Sequence, residues 1–289
     1  MTQFGFGQPR RGINLRWVIA LVIAAVGIIG YYTKTSVNPV TGEKQHIALT
    51  AEQETALGLN SAPQMAREMG GEVSPNDPQA RLVAEVGNRI WQRSDATKSP
   101  YKYTYHLVND EKTINAFALP GGQIFITRAL LNKLQNEAQL AGVLGHETGH
   151  VVGRHVAEQM AKQQLSQSLV IATAVGASDR RDGGQTAAVI ASFVAQLKQL
   201  SFSRKDESEA DAFGLKYMTQ AGYDPRAMLG VMEILKSAGG AGGTPQIFLT
   251  HPNPDQRIED IKTWLQQHPD LPNDLTIGRK LNAGATLDF

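Results

Sequence analysis

The stretch HETGHVVGRH, residues 146–155, contains the side chains with the clearest chemical potential in this sequence. Residues four apart lie on one face of a helix, so His146 and His150 can bind a single metal ion through their imidazole nitrogens. Glu147 would then lie beside the metal, within reach of a bound water molecule. This H-E-x-x-H arrangement predicts a zinc site, with one ion per chain.

A zinc site that does chemistry needs a third protein ligand and an open fourth position. His155 is one candidate, but on a continuous helix it lies nine residues after His146, roughly 180° around the axis. The following VAEQMAKQQL predicts that the helix continues past it. His155 could join the other two histidines only if the helix broke at Gly153. We therefore expect His155 to make a structural hydrogen bond.

The stretch ESEAD, residues 207–211, offers a better third ligand. Glu207 and Asp211 lie four apart on one helix face, whereas Glu209 points away. One of these two carboxylates would complete the metal site, and the other would hold a ligand histidine in the correct tautomer. By itself an acidic stretch of this kind is typical of a solvated helix face, and only the neighbouring H-E-x-x-H motif favours a metal site.

Capping signals predict the elements that position these residues. Asn136 begins a long helix to about Leu165 that carries the histidines, and Ser203 begins a helix to about Gln220 that carries ESEAD. Several helices around a small sheet predict an α+β fold. The other predicted helices lie at about 50–69, 78–94, 224–239 and 253–267, and the predicted strands at 101–108 and 114–127, the latter folded around Pro120-Gly121-Gly122.

The N-terminus contains an uncharged apolar run, WVIALVIAAVGIIG, preceded by arginines. It predicts a transmembrane anchor at 13–33, with residues 1–12 in the cytoplasm and the catalytic part outside it. The alternative is a cleaved signal peptide, for which the run is rather long. We expect a linker and a membrane-proximal helix at 34–75, a catalytic domain at 76–268 and a C-terminal tail at 269–289.

Composition restricts the classes of protein further. The 289 residues carry a net charge of +1 and include no cysteine. A cysteine ligand, a cysteine nucleophile and a disulfide framework are therefore excluded, and nothing in the charge favours nucleic acid as a partner. The middle region, 166–202, holds two apolar runs that are each too short to span a bilayer. They predict packed or lid-forming helices; a hairpin at the membrane surface is the alternative.

Three separated motifs, HETGHVVGRH, ESEADAFG and INAFALPGG, resemble those of the gluzincin zinc metallopeptidases, the group that includes the CAAX prenyl proteases and the HtpX-like and BepA-like enzymes. The resemblance covers roughly residues 45–265. It implies a mainly helical, zincin-like domain with a small β-sheet. The single predicted anchor is similar to the single-anchor periplasmic branch and differs from branches with several membrane spans.

The resemblance also implies roles for individual residues. His146, His150 and Glu207 would be the zinc ligands, Glu147 the catalytic base, and Asp211 the aspartate of the motif E-x-x-A-D. A further stretch, THPNPDQRI, matches a histidine-proline pair followed by an arginine, which are His251 and Arg257 in this chain. The histidine of that pair can approach the zinc ion, where it either inhibits or assists the reaction.

Together these features predict a membrane-anchored zinc endopeptidase that cleaves unfolded or damaged proteins of the cell envelope, with its catalytic domain in the periplasm. The segment 115–119 is a candidate edge strand, at which Asn115, Ala116 and Phe117 would pair with substrate backbone. The main alternative is a zinc-binding, chaperone-like or adaptor protein with latent or weak proteolysis. The intact Glu147 argues against it. A zinc hydrolase that acts on other bonds is a second alternative.

Overall fold

The computed structural model describes residues 15–47, 49–177, 186–197, 199–239, 245–252 and 254–281. The segment 1–12 that we predict to be cytoplasmic lies outside the described residues. So do residues 178–185 of the apolar middle region and residues 282–289 of the tail.

Helices form most of the described chain, which confirms the predicted mainly helical α+β architecture. The helices are α1 (Leu15–Thr33), α2 (Ala51–Glu68), α3 (Pro78–Gln92), α4 (Arg128–Leu131), α5 (Glu137–Val152), α6 (His155–Ala177), α7 (Thr186–Leu197), α8 (Arg204–Gln220), α9 (Ala227–Gly239), α10 (Ile247–Thr250) and α11 (Pro254–Gln267). The strands are β1 (Ser36–Val37), β2 (Lys44–Gln45), β3 (Thr104–Val108), β4 (Ala116–Leu119) and β5 (Gln123–Thr127).

A three-stranded sheet in the order β3-β5-β4 supports the catalytic region. β5 lies in the middle, parallel to β3 and antiparallel to β4, and Ala116 pairs with Ile126. The predicted hairpin around Pro120 is thus confirmed, and β4 lies at an edge of the sheet. β3 is shorter than predicted and begins at Thr104, although Tyr101 and Tyr103 are buried just before it.

The helix α5, which carries HETGH, is the centre of the molecule. Every one of its residues is buried, and it contacts the sheet, α3, α8 and α9. Its packing against α8 is close because small residues face one another: a Cβ atom on Gly149 would lie 2.9 Å from the carbonyl oxygen of Ala210. This close approach brings the chemically active faces of the two helices together.

The predicted single long helix from Asn136 to about Leu165 is wrong. Asn136 does cap α5, but the helix ends at Val152, and α6 begins at His155 after a break. Arg154 forms the break with a φ of +57°, in the left-handed region that residues other than glycine rarely adopt. This conformation changes the direction of the chain immediately after the histidine motif.

Contacts from distant residues explain the break. The side-chain amides of Asn38 and Gln45 donate to the carbonyl oxygens of Val152 and Gly153, at 2.7 and 2.6 Å. Those carbonyls at the helix end therefore have partners without a further helical turn. The segment that we predict to be a linker is here an antiparallel pair, β1 and β2, which binds the end of α5.

The apolar N-terminal run forms the helix α1, which packs against α6. Within the described residues, no helix has the combination of length and apolar character that crossing a membrane requires. The next helix, α2, starts with the predicted capping box, in which Thr50 and Gln53 exchange hydrogen bonds. It contacts β4, β5 and α7.

In the C-terminal part, α8 and α9 pack against α5, and α11 packs against α8 and α9. α8 starts at the predicted cap, Ser203, whose capping box is completed by Asp206. α9 begins at Ala227, slightly later than predicted. The predicted tail is attached over part of its length, because Arg279 accepts a backbone hydrogen bond at 3.0 Å from Glu137, at the start of α5.

Candidate active site

The two histidines of the motif share one face of α5, as their spacing predicts. Their Nε2 atoms lie 3.0 Å apart, with the two rings nearly perpendicular at 81°. His146 is 5% exposed and His150 only 1%. Both rings therefore direct a nitrogen at one buried point between α5 and α8.

Glu207 reaches the same point from α8. Its Oε2 lies 3.6 Å from Nε2 of His146, and its Oε1 lies 3.5 Å from Nε2 of His150. His251 joins them, with its Nδ1 3.0 Å from Oε1 of Glu207 and 3.2 Å from Nε2 of His146. One donor atom from each of these four residues lies within 4.8 Å of all the others. The cluster is a set of donors that can hold a metal ion.

Asp211 and Arg257 form a second layer behind this cluster. Asp211 Oδ1 is 2.8 Å from Nδ1 of His146, on the side of the ring opposite the cluster. Arg257, from the first turn of α11, donates to both oxygens of Asp211, and its Nη1 lies 2.9 Å from Oε2 of Glu207. One buried arginine thus fixes the carboxylates of both Glu207 and Asp211.

Buried charges set the protonation states of the cluster. Burial lowers the pKa of His150 well below its ordinary value, which leaves a neutral imidazole with a free electron pair. Burial would raise the pKa of Glu207, but the nearby charges of His251 and Arg257 outweigh it and hold that pKa well below the usual value. Burial would also raise the pKa of Asp211, but the charge of Arg257 outweighs it and lowers that pKa. Both carboxylates are therefore ionised.

Glu147 lies beside the cluster and is not one of its four residues. Burial raises its pKa. Its Oε1 is 3.6 Å from Nε2 of His251, and its Oε2, fully buried, has no hydrogen-bond partner among the described residues. An unpartnered buried carboxylate oxygen is costly for the fold, so its presence next to a cluster of potential ligands indicates a functional role.

The three residues that we predict to bind substrate lie at one side of this site. Ala116 and Phe117 belong to β4, and Asn115 directly precedes it. Oδ1 of Asn115 is buried without a hydrogen-bond partner among the described residues. Asn115 and Phe117 line an apolar cavity that also reaches His251 and is completed by Met65, Met69, Ala118, Val156, Leu197, Leu200, Phe202, Gln246 and Thr250.

His155 does not enter the cluster, but it touches it from behind. The break at Arg154 turns its ring toward His150, and the two Nδ1 atoms are 2.9 Å apart. The expected structural hydrogen bond is therefore made directly to a residue of the motif. Glu209, expected to point away from the site, lies with its Oε2 3.5 Å from Nε2 of His155.

Some residues of the site lie outside the predicted set. Phe202 stacks on the ring of His150, with centroids 4.0 Å apart and an angle of 26°, and Glu54 binds Arg154 at the helix break. Phe202 is an apolar residue directly before the helix cap Ser203, but the fourth helical position is Glu207, so the sequence carries no hydrophobic-staple signal for it. Glu54 has no sequence signal either, because an acidic residue in the first turn of a helix is ordinarily explained by the helix dipole.

Comparison with known proteins finds a matching family model and relatives that align with most of the chain. The model of peptidase family M48 matches residues 77–265. The chain is 32% identical over 263 residues to mitochondrial metalloendopeptidase OMA1 of Schizosaccharomyces pombe, a match that covers 90% of this chain and 75% of the relative. It is 30% identical over 268 residues to the beta-barrel assembly-enhancing protease of Escherichia coli, with coverage of 91% and 54%.

A third relative, the mitochondrial metalloendopeptidase OMA1 of Danio rerio, is 32% identical over 251 residues, which are 83% of this chain and 52% of that protein. The chain thus spans about half the length of two of these three relatives. The family match covers more than half of the chain and includes every residue of the buried cluster. The chain therefore belongs to peptidase family M48 and is a metalloendopeptidase.

Proposed function

We propose that the chain hydrolyses peptide bonds with one zinc ion held by His146, His150 and Glu207. The observation that carries this proposal is the convergence of their donor atoms within one buried cluster. If Nδ1 of His146 donates to Asp211, then its Nε2 carries an electron pair that faces the electron pair on Nε2 of His150, 3.0 Å away. A bound cation would remove this repulsion, and two imidazoles with one carboxylate are typical zinc donors.

When bound, a zinc ion supplies an acidified water molecule and polarises the carbonyl group of the peptide bond. Glu147 takes a proton from the attacking water and passes it to the departing amine. The raised pKa of Glu147 makes its carboxylate a stronger base for the first step, and the departing amine is basic enough to take the proton from it in the second. Arg257 and Asp211 keep His146 and Glu207 in position throughout.

His251 has a position that suits a gate for the site. Its Nδ1 lies among the donor atoms, so with a metal ion held by the other three residues it would compete with a substrate or water molecule for the open position. It follows the short helix α10 and precedes α11, so a rotation of this loop would remove it. We propose that the arrangement with His251 inside the cluster is latent.

Extended protein chains are the substrates that fit the site best. Among the described residues β4 pairs with β5 on one side only, which leaves its other edge for a substrate strand, and Oδ1 of Asn115 could accept a backbone N–H. The adjoining apolar cavity has a volume of about 50 Å³. At 10–15 Å³ for each water-sized group, it holds roughly four such groups, which suits one aliphatic side chain. Unfolded proteins expose such side chains beside an accessible backbone.

We further propose that α1 anchors the chain in the inner membrane, with the catalytic domain in the periplasm and damaged envelope proteins as substrates. Apolar side chains on α1 support the anchor, since Leu21, Val26 and Ile29 are each at least 60% exposed. Flotation of the full chain with phospholipid vesicles tests this. The wild type should float, and Val26→Asp should float less. A wild type that stays at the bottom would contradict the anchor.

The substrate proposal is tested by incubating the zinc-loaded full chain with casein, which is unfolded, and with ubiquitin, which is compact. Casein should be cut and ubiquitin spared, and mass spectrometry should locate the cuts beside aliphatic residues. Glu147→Gln serves as the blank for contaminating proteases. Equal cutting of both proteins, or cuts without any preference for aliphatic neighbours, would contradict the proposal. Binding of casein without cleavage would favour a chaperone-like protein.

A further inference from the structure

The two histidines of the motif have different hydrogen-bond partners at Nδ1. Nδ1 of His146 meets the carboxylate of Asp211, whereas Nδ1 of His150 meets a second imidazole, that of His155, at 2.9 Å. His150 is 1% exposed and His155 is 2% exposed, so water does not compete for this contact. A hydrogen bond between two buried rings fixes which nitrogen of each ring carries the proton.

The contact exists because the helix breaks where it does. On an unbroken helix, His155 would be five residues after His150 and far around the axis. The left-handed conformation of Arg154 instead folds the start of α6 back against α5. Gly153 leaves the necessary space, since a Cβ atom there would lie 2.3 Å from Nε2 of His155. Arg154 is in turn held by Glu54, with Nε and Oε1 3.0 Å apart.

The protons can be assigned along this chain of groups. With Nε2 of His150 facing the cluster, its Nδ1 carries the proton and donates it to Nδ1 of His155. His155 must then carry its own proton on Nε2, and that buried nitrogen makes no hydrogen bond among the described residues but lies 3.5 Å from Oε2 of Glu209. The negative charge favours a proton at that position. Phe202 stacks on a face of the His150 ring and limits its rotation.

We propose that His155 is a positioning residue, which holds His150 in the tautomer and orientation that direct Nε2 at the metal. The inference rests on the proposed function, in which His150 is a ligand. Outer partners of ligand histidines typically change metal affinity by roughly 10- to 100-fold when removed. His155→Leu removes the acceptor and retains much of the volume. His155→Asn retains an acceptor at the position of Nδ1.

The test measures zinc affinity by competition with a chromogenic chelator. His155→Leu should bind zinc roughly 10- to 100-fold more weakly than the wild type, and His155→Asn should recover most of that loss. His268→Leu is the matched control, since His268 is exposed at the end of α11, and its affinity should be unchanged. Affinity in His155→Leu within twofold of the wild type overturns the proposal, as does equal loss in the leucine and asparagine variants.

A second measurement does not depend on the folding of a variant. In zinc-loaded wild type labelled with ¹⁵N-histidine, long-range proton–nitrogen correlation reports the protonation of each ring nitrogen. We expect His155 to be protonated at Nε2 and bare at Nδ1, and a proton on its Nδ1 would overturn the proposal. If His150→Ala leaves zinc affinity intact, the ligand assignment itself fails. If His150→Ala abolishes binding while His155→Leu has no effect, only the positioning role fails.

Discussion

Asp211 and Arg257 form a bidentate pair in the interior, with Nε to Oδ2 at 2.8 Å and Nη2 to Oδ1 at 2.6 Å. Because two parallel hydrogen bonds fix the plane of a carboxylate, they also fix the ring of His146, whose Nδ1 lies 2.8 Å from Oδ1. The orientation of a candidate metal ligand on α5 therefore depends on an arginine more than a hundred residues away on α11.

This relationship predicts that Asp211→Asn weakens zinc binding by roughly 10- to 100-fold. An asparagine side chain is neutral and leaves Arg257 without its full countercharge. Chelator competition measures the effect. Asp255→Asn is the control, because Asp255 is 80% exposed on the same α11 and should leave affinity unchanged. Equal affinities in wild type and Asp211→Asn would contradict the positioning role of Asp211.

A second prediction concerns the buried pair that fixes the break after α5. Glu54→Ala should lower the free energy of unfolding by about 3–5 kcal/mol, because it leaves the guanidinium of Arg154 buried without its partner. The hydroxyl group of Tyr101, which donates to Glu54 at 2.9 Å, would lose its acceptor too. Urea unfolding measures the change.

The matched control for Glu54 is Glu43→Ala, which removes an exposed partner of Lys205. Exposed pairs contribute little, so this change should cost less than about 1 kcal/mol. If both variants lost the same small amount, the Glu54–Arg154 pair would not be what stabilises the helix break.

The third prediction concerns His251 as a gate. His251→Ala should increase cleavage of casein several-fold, because the fourth position opens, and should also weaken zinc binding, because one of the four donors is lost. Initial rates at saturating zinc separate the two effects. A fall in the rate under those conditions would show that His251 assists the reaction and does not restrain it.

A fourth prediction follows from the raised pKa of Glu147. The carboxylate form acts as the base, so kcat/KM should fall as the pH is lowered through this pKa. Since burial raises that pKa above the ordinary 4.5, the fall should occur at a higher pH than for an exposed glutamate. Zinc content must be measured at each pH, so that loss of metal is not mistaken for protonation of Glu147. Activity that stays level down to pH 4.5 with zinc retained would contradict this.

The parts that could be predicted from the sequence are those whose causes are local. The spacing of His146 and His150, the capping box at Thr50 and the cap at Ser203 each depend on residues within a few positions, and the structure contains all of them. The positions of His251 and Arg257 were implied only by resemblance to a family. A short helix and a loop carry no periodic signal from which their approach to α5 could be derived.

The break between α5 and α6 could not be predicted, because its causes are not local in the sequence. The sequence after Gly153 favours a helix, and the contacts that stop it come from Asn38, Gln45 and Glu54, roughly a hundred residues earlier in the chain. Consequently the sequence could not predict that His155 contacts His150, or that Glu209 approaches His155.

The central claim is that the cluster on α5 and α8 holds one zinc ion and that Glu147 performs the proton transfer beside it. The most direct measurement is zinc content together with casein cleavage, in the wild type and in Glu147→Gln. We expect about one zinc per chain in both proteins, by the usual stoichiometry of such sites, and cleavage by the wild type alone. Cleavage by zinc-loaded Glu147→Gln at the rate of the wild type, or no zinc in either protein, would contradict the account.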